Sequence, residues 1–384
     1  MLRLRLAVIL CGLCGFLDLW ATQALLPFLA DELHASALAV SFTVSMPPLA
    51  IVLVAPWIGV IADVLGRRRV IIAAMFGLVI PTVMVGYSTT LGAIIFWRFV
   101  QGLFVPPIFA TTVAYIADEA PPGQSTAVTG VYTAASVFGG FLSRFLSAIL
   151  AEHFGWRDAF LGLAVITLLF AIGTLLIMPK ERGFRRSSSI GSSLQEMLQH
   201  FRDSRLVATY CVGFCVLFTL STIFTFVGFH LAAPPYALST AAIGSLFLTY
   251  LAGVVTTSLV GRGVAWLGRR RMVLFALLGW GIGIAMTLLP SIVAVIAGLA
   301  AAAAFCFVCQ AASTSYVALT AQRGRSSAVG LYVTAYYLGG SVGGPVAGTA
   351  WTIGGWGACV ACALVVLAAV ALVVRRYWVE AAGP

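Results

Sequence analysis

Apolar runs long enough to cross a lipid bilayer recur from one end of this chain to the other. A bilayer core of about 30 Å requires about 20 apolar residues in helical conformation, and the 384 residues divide into about twelve runs of that length. Hydrophobic residues make up 61% of the sequence and charged residues only 9%, whereas roughly a quarter of the residues in soluble proteins are charged. The sequence therefore predicts an all-α membrane protein with twelve transmembrane helices.

The polar breaks between the runs set the predicted spans and divide them into two sets of six. We place the spans near residues 5–29, 38–61, 70–88, 91–117, 125–150, 158–178, 206–230, 239–260, 272–290, 292–319, 326–350 and 357–378. A basic, Ser-rich stretch separates the sets. It predicts an N-terminal bundle at 1–179, a cytoplasmic linker at 180–205 and a C-terminal bundle at 206–384. Within the linker, Leu194, Met197, Leu198 and Phe201 have the spacing of a short amphipathic surface helix.

The net charge of +10 lies mostly in short segments between alternate spans. Arginine triplets at 67–69 and 269–271, the linker, and Arg375 with Arg376 all fall on one side, which is the positive-inside pattern. The charge therefore indicates topology, with both termini cytoplasmic in a bacterial inner membrane, and no nucleic-acid partner. Eight cysteines lie in apolar runs without polar ligands beside them, so no metal site and no cofactor are expected.

An internal repeat supports two pseudo-symmetric six-helix bundles. Seven residues between 130 and 156 recur 200 positions later, among them Gly139 as Gly339 and Gly155 as Gly355. A second match, at 202 positions, pairs Gly66 with Gly268 and the two arginine triplets. Parallel repeats of this kind are one of the transporter architectures, with the substrate site near mid-membrane between the repeats.

Two motifs carry a resemblance to a known family. The second span ends in Gly59-Val-Ile-Ala-Asp63-Val-Leu-Gly66-Arg67-Arg68-Arg69, and the fourth contains Arg98-Phe-Val-Gln101-Gly102. They resemble the cytoplasmic loop motif and the R-x-x-Q-G motif of the major facilitator superfamily. The chain looks most similar to the twelve-span branch of drug and metabolite:proton antiporters. That resemblance implies alternating access by a monomer.

The loop motif implies a conformational latch. Asp63 is suited to accept hydrogen bonds at another helix's N-terminus, where the helix dipole favours negative charge. By resemblance that helix is the eleventh, and Arg67, Asp118 and Arg325 extend the latch as a charge relay. Gly59 and Gly66 allow close helix approach and a tight turn. The alternative for the arginines is that they only enforce topology. The C-terminal copy has Ala265 in place of the acid.

Three charged residues lie well inside the predicted spans, all in the N-terminal half: Asp18, Arg98 and Arg144. Such charges are costly in a bilayer and usually functional. Asp18, about halfway through the first span, is the proton-carrier candidate, with Arg98 as its coupling partner. The alternatives are a static buried pair for Asp18 and an anchor to main-chain carbonyls for Arg98.

Arg144 stands where antiporters of this branch usually have a Gly-Pro pattern, which the eleventh span keeps as Gly344-Pro345. This departure favours an alternative function, a symporter or exchanger for a small organic anion that uses Arg98 and Arg144. Arg144 could also extend to the outer surface or pair with Glu152.

Aromatic and amide side chains on the inner helices are the remaining candidates for the substrate cavity. Together with Arg144 they are Trp20, Gln23, Gln101, Tyr115, Tyr132, Phe226, Tyr250, Gln310, Tyr336 and Tyr337. Because the second half has no charge inside its spans, an amphipathic ligand is favoured.

The sequence thus predicts a secondary transporter that exports a small amphipathic drug or metabolite in exchange for protons. No paired acids, histidine clusters or nucleophile with a base lie inside the spans, so an enzyme is not expected. A receptor or scaffold that has lost transport remains a further class. The expected partners are the small-molecule substrate, protons and the lipid bilayer.

Overall fold

The computed structural model describes residues 1–121, 123–181, 200–257, 259–321 and 325–378, and every regular element within these ranges is a helix. Lipid offers no partners for main-chain N–H and C=O groups, so the apolar runs adopt the one local structure that satisfies these groups internally. The predicted all-helical fold class is confirmed. Most of the predicted linker helix lies outside the described residues.

Most helices follow the predicted spans, whereas the predicted spans 5–29 and 239–260 are each divided into shorter helices. The first half contains α1 Leu2–Leu17, α2 Leu26–Glu32, α3 Ala37–Leu65, α4 Arg67–Gly86, α5 Leu91–Glu119, α6 Ser125–Phe154 and α7 Trp156–Ile177. The second half contains α8 Ser204–Ala232, α9 Thr240–Ser245, α10 Tyr250–Thr257, α11 Val260–Leu267, α12 Arg269–Met286, α13 Ile292–Thr320 and α14 Arg325–Tyr377.

Nine helical segments within the described ranges are long and apolar enough to cross a bilayer. The last, in α14, contains two spans, because Gly354 and Gly355 leave the helical conformation in its middle. The first span is divided between α1 and α2, and α12 begins with an arginine triplet. These three features account for the difference between nine segments and the twelve spans of the fold.

Two spans are interrupted, which the apolar runs do not reveal. The first changes from α1 to a short 3₁₀ helix at Gln23–Leu25 and then to α2. The eighth changes from α9 to a 3₁₀ helix at Leu246–Thr249 before α10. The interruption in the first span lies beside the buried charges and shapes the candidate site.

The chain forms two compact units. Unit 1 contains Met1–Ser188 together with Leu238–Phe247. Its core joins the apolar faces of α1, α4, α5, α6 and α7, and Leu4, Ile71, Tyr115, Tyr132 and Ala171 belong to it. Unit 2 contains Ser189–Ala237 and Leu248–Pro384. One of its cores joins α8, α13 and α14.

The sequence repeat corresponds to a repeated packing contact within each unit. A Cβ atom on Gly139 in unit 1 would lie 2.8 Å from the carbonyl oxygen of Leu13. In unit 2, a Cβ atom on Gly339 would lie 2.0 Å from the carbonyl oxygen of Phe214. Each contact therefore requires a residue without a side chain, because the helices touch through their main chains.

Repeated glycines also end helices in the same way. Gly66 and its counterpart Gly268 have φ angles of 93° and 76°, and Gly155 and its counterpart Gly355 have φ angles of 86° and 60°. These values favour glycine because a Cβ atom is strained there. The repeat thus includes the turns between spans as well as the close helix contacts.

Candidate functional site

The site is built on the interruption in the first span. Helix α1 ends at Leu17 with Asp18 as its C-cap, and Pro27 occupies one of the first two positions of α2. Proline has no N–H group, and its ring collides with the carbonyl of the residue four positions earlier, here Gln23. A continuous helix is therefore disfavoured just before Pro27. Helix α1 itself ends earlier, at Leu17, and the main-chain oxygens that follow it need partners outside the regular helical pattern.

Arg98 of α5 supplies those partners. Its side chain is fully buried. Nη1 donates to the main-chain oxygen of Asp18 at 2.5 Å, and Nη2 donates to that of Leu19. Nε donates to the main-chain oxygen of Thr43 in α3 at 2.9 Å. A guanidinium at a helix C-terminus is also favoured by the helix dipole. Arg98 therefore holds the end of α1 against α3 and α5.

The other residues of the R-x-x-Q-G motif complete this arrangement. The Nη1 atom of Arg98 also donates to Oε1 of Gln101 at 2.6 Å, and Nε2 of Gln101 donates to the hydroxyl of Thr82 at 2.8 Å. A Cβ atom on Gly102 would lie 2.4 Å from the main-chain oxygen of Pro47. The arginine, the amide and the glycine thus join α5 to α1, α3 and α4.

Asp18 is adjacent to Arg98 through its main chain, and its carboxyl group faces a different partner. Oδ2 accepts a hydrogen bond from the hydroxyl of Thr167 in α7 at 2.8 Å. Oδ1 accepts no hydrogen bond within the described part of the chain, because the hydroxyl of the neighbouring Thr82 donates to the main-chain oxygen of Leu78 at 2.8 Å instead. The side chain is fully buried. The expected side-chain pairing of Asp18 with Arg98 is thus replaced by a main-chain contact, and the anchor interpretation of Arg98 describes its geometry.

Arg144 lies inside unit 1, with only 4% of its surface exposed. Nε donates to Oε1 of Gln23 at 2.7 Å, and Nη1 donates to the main-chain oxygen of Gly140 at 2.5 Å. The guanidinium carbon lies 5.1 Å from the ring centroid of Trp20 and 4.8 Å from that of Phe247. Such contacts with ring faces stabilise a buried cation.

Both simple alternatives for Arg144 are wrong in this structure. Its guanidinium does not extend to the surface, because Gln23 and the aromatic rings hold it in the interior. Glu152 accepts a hydrogen bond from the main-chain N–H of Ala241 instead of pairing with the arginine. Gln23, Trp20 and Arg144, predicted separately as cavity residues, therefore lie together.

The loop motif forms a charge network at the basic ends of the helices. Arg67 lies 3.5 Å from the carboxylate of Asp63 and donates to the carboxylate of Asp118. It also donates to the main-chain oxygen of Ala114 at 2.6 Å. The three charges expected to form a relay are thus in contact within unit 1. The side chain of Arg325 lies outside the described part of the structure.

The two glycines of the loop motif differ. Gly66 makes the expected tight turn, with a φ angle of 93°. A Cβ atom on Gly59 would meet no atom within 4 Å among the described residues. The described residues therefore show no close helix approach at Gly59.

Two further contacts between charged side chains and helix ends lie at the same loop, and the sequence analysis did not identify them. The guanidinium of Arg68 donates to the main-chain oxygens of Met178 at 3.1 Å and Leu175 at 2.9 Å, at the end of α7. In return, the carboxylate of Glu181, just beyond α7, accepts from the main-chain N–H of Arg68 at the start of α4. Each charge has the sign that the helix end prefers. Arg68 therefore joins two helix ends in addition to any role in topology.

The tyrosines predicted for the cavity in unit 1 lie in its hydrophobic core. Tyr115 is fully buried and donates to the main-chain oxygen of Pro179 at 2.8 Å. Tyr132 is 2% exposed and packs beside Phe109. These are the contacts of packing residues, so the cavity role of both tyrosines gains no support here.

The candidates in unit 2 are aromatic and polar. Tyr250 contacts Phe224 edge to face, with ring centroids 4.6 Å apart, and Tyr336 contacts Tyr337 in the same way at 5.3 Å. Phe226 is fully buried, whereas Gln310 is partly buried. Helix α8 also buries a series of hydroxyl groups that sequence reasoning did not single out: Thr219, Ser221, Thr222 and Thr225. Their spacing in the apolar run was the available signal.

Comparison with known proteins identifies the family. A sequence model described as the Major Facilitator Superfamily matches residues 8–265. The chain belongs to the major facilitator superfamily. It is a multi-pass membrane transporter, and this family membership confirms the resemblance carried by the two motifs at the level of the superfamily.

Two similar proteins are transporters of bacteria. The chain is 29% identical to the inner membrane transport protein YnfM of Escherichia coli (strain K12) over 371 residues, which cover 95% of this chain and 88% of YnfM. It is 27% identical to an uncharacterized transporter of Buchnera aphidicola subsp. Schizaphis graminum over 350 residues, which cover 91% of this chain and 85% of the other.

Solved structures share the fold. A mutant of the nucleoside transporter NupG aligns with a TM-score of 0.83 at 14% identity, over 98% of this chain and all of the other. A bacterial homologue of the human lysosomal transporter Spinster, in an inward-facing and occupied conformation, aligns with a TM-score of 0.78 at 17% identity, over 97% of this chain and 96% of the other. At these identities the likeness concerns the fold alone.

Proposed function

We propose that this transporter exports a small amphipathic molecule in exchange for protons. One observation carries the proposal: Asp18 is a fully buried carboxyl group at the interruption of the first span, with one oxygen unpartnered within the described residues. A structural carboxylate is usually satisfied on both oxygens. An oxygen left available in the interior is suited to accept and release a proton.

Arg98 serves this chemistry as a positioning residue. Its hydrogen bonds to the main-chain oxygens of Asp18 and Leu19 fix the end of α1, and with it the position of the Asp18 carboxyl group. A change in the protonation of Asp18 alters its hydrogen bond with Thr167 of α7. The proton thus acts on the packing of α1 against α7, within unit 1, which contains Asp18, Arg98 and Arg144.

The substrate contacts in unit 1 are proposed at Arg144, Gln23 and Trp20. The aromatic rings and the amide offer an amphipathic molecule both apolar surface and a hydrogen-bonding group, as in most small-molecule sites. Within unit 2, the proposed substrate contacts are Phe226, Tyr250, Gln310, Tyr336 and Tyr337. At the basic ends of the helices, Asp63, Arg67 and Asp118 are proposed to form a conformational latch.

A second candidate function, exchange of a small organic anion, rests on Arg144. Its guanidinium is buried between the Trp20 and Phe247 rings, an environment in which an anion would meet little competition from water. Arg98 does not support this function, because all three of its nitrogen atoms donate to protein oxygens.

The proposed location is a bacterial inner membrane with both termini on the cytoplasmic side. The distribution of basic residues between alternate spans supports this orientation. The similarity to YnfM, an inner membrane transport protein of Escherichia coli, also supports this location.

Proton flux in everted membrane vesicles tests the proposal. An acid-inside gradient is imposed, and a panel of amphipathic cations, neutral amphiphiles and organic anions is added to vesicles containing wild type, Asp18→Asn or Asp31→Asn. Asp31 is an exposed acid at the end of α2 and serves as the matched control. We expect at least one amphipathic compound to dissipate the gradient in wild type and in Asp31→Asn, but not in Asp18→Asn.

Two results would contradict the proposal. Dissipation that survives in Asp18→Asn would show that another group carries the proton. Exchange of a labelled anion without any proton movement, lost in Arg144→Gln, would establish the anion exchanger in its place.

A further inference from the structure

A surface cavity of about 930 Å³ lies beside α1, α4 and α7, away from the buried charge network. Three cationic side chains line it: Arg3 near the start of α1, Arg68 near the start of α4, and Lys180 just beyond α7. The other lining residues within the described ranges are apolar, and none is acidic. The cavity therefore combines positive charge with hydrocarbon surface.

The position of the cavity corresponds to the level of lipid headgroups. It lies where α1 and α4 begin and α7 ends, so its cations are at the membrane–water boundary on the basic side. Two of its apolar residues, Leu2 and Leu176, are 72% and 76% exposed. Leucines this exposed at the ends of spans have acyl chains as their natural surroundings.

Arg68 is held in place on the cavity wall. Its Nε and Nη2 atoms donate to the main-chain oxygens of Met178 and Leu175. The ordering cost of this side chain is therefore met before any ligand arrives, and a pre-oriented guanidinium is well suited to phosphate.

The acid closest in sequence to these cations is directed elsewhere. Glu181 lines an adjoining cavity of about 430 Å³, which Arg68 and Lys180 also line, and its carboxylate accepts from the main-chain N–H of Arg68. Its carboxylate is thus occupied at the start of α4. The larger cavity keeps its positive character.

We propose that this cavity binds an anionic phospholipid from the leaflet on the basic side. The headgroup phosphate lies among Arg3, Arg68 and Lys180, and the acyl chains extend along Leu2 and Leu176. Basic sites between membrane helices attract anionic headgroups, with about 1 kcal/mol for each Lys or Arg near the surface. The apolar wall favours this lipid over a free phosphate ion, because the ion has no acyl chains to contact the wall. The site is separate from the proposed transport chemistry.

Native mass spectrometry of the purified full-length chain tests the site. The protein is delipidated in detergent and titrated with phosphatidylglycerol or with phosphatidylcholine of the same acyl chains. The test variant is Arg3→Gln with Lys180→Gln, both at exposed positions. The matched control is Arg375→Gln with Arg376→Gln, two exposed cations outside the cavity. Arg68 is retained because it joins helix ends.

We expect wild type to bind phosphatidylglycerol more tightly than phosphatidylcholine. Removing two cations at the cavity weakens phosphatidylglycerol binding about 30-fold, whereas the control changes it by less than about threefold. The charge-preserving variant Arg3→Lys with Lys180→Arg keeps most of the binding.

Three results would overturn it. Equal binding of the two lipids would remove the need for an anionic headgroup. An equal loss in the cavity variant and the control would indicate general surface attraction. Displacement of the lipid by glycerol 3-phosphate at equal concentration would indicate a site for a soluble anion. None of these readouts depends on proton coupling through Asp18.

Discussion

Replacing Arg98 with lysine separates its anchoring role from its charge. The three nitrogen atoms of the guanidinium donate hydrogen bonds to four residues. These are Asp18 and Leu19 directly after α1, Thr43 in α3, and Gln101 in the same helix as Arg98. Lysine keeps the positive charge but has a single nitrogen at the end of its chain. It cannot reach main-chain oxygens of both α3 and the end of α1 in the same way, and at least two hydrogen bonds are lost.

The expected cost follows from those hydrogen bonds. A hydrogen bond to a charged group contributes about 1.5–3 kcal/mol, and a buried carbonyl left without a partner adds its desolvation penalty. Loss of two bonds therefore destabilises the folded protein by roughly 3–6 kcal/mol. For comparison, Arg157→Lys alters a partly exposed pair with Glu32 at 3.3 Å, and changes stability by about 1 kcal/mol or less.

Thermal unfolding of the purified variants in detergent measures this difference. Arg98→Lys is expected to unfold at least about 5 °C below wild type, while Arg157→Lys remains close to it. If Arg98→Lys has the unfolding temperature of wild type and loses only transport, Arg98 acts in substrate binding or proton transfer, and its anchoring role is refuted.

Two further variants test the helix contacts and the latch. Gly139→Ala brings a Cβ atom to 2.8 Å from the main-chain oxygen of Leu13, and we expect it to lower the free energy of unfolding by about 1–3 kcal/mol. Gly130→Ala on the same helix is the control, because its Cβ atom meets no described atom within 4 Å. Equal unfolding temperatures of the two variants would contradict the close contact. Asp118→Asn weakens the exposed pair with Arg67, and we expect it to lower the free energy of unfolding by less than about 1 kcal/mol. Transport in vesicles is expected to fall clearly. An unchanged transport rate would exclude Asp118 from the latch.

The architecture was largely readable from the sequence because bilayer physics acts on long segments. About 20 apolar residues are needed to cross a bilayer, whatever their order. Glycines that recur at 200 and 202 positions mark turns and close contacts in both halves, and Gly66 and Gly268 both adopt a positive φ angle. Such requirements are local, so they remain visible without a structure.

The break in the first span was less visible. Pro27 is the local signal, but the prediction treated residues 5–29 as one helix, since the run is apolar throughout. The helix actually ends at Leu17, and the main-chain oxygens of Asp18 and Leu19 directly after it accept hydrogen bonds from Arg98 of α5. Main-chain oxygens are present at every position and carry no sequence signal, so a side chain that binds them cannot be assigned its partner from sequence.

The same reasoning explains which site residues were missed. Thr167 binds the Asp18 carboxyl group, and Glu181 binds the start of α4, yet each lies more than 100 positions along the chain from its partner. Thr167 does not stand out because threonines are common in these spans. Glu181 does not stand out because it is a single acid beside a basic linker. By contrast, Asp18 and Arg144 were found because a charge inside an apolar run is costly and therefore conspicuous.

The central claim, that Asp18 exchanges its proton as substrate binds, is tested most directly by proton release from the purified protein. The substrate found in the vesicle assay is added to wild type, Asp18→Asn and Asp31→Asn in weakly buffered detergent solution, with binding measured in parallel. We expect proton release on binding in wild type and Asp31→Asn, and binding without proton release in Asp18→Asn. Equal proton release from all three proteins would contradict it.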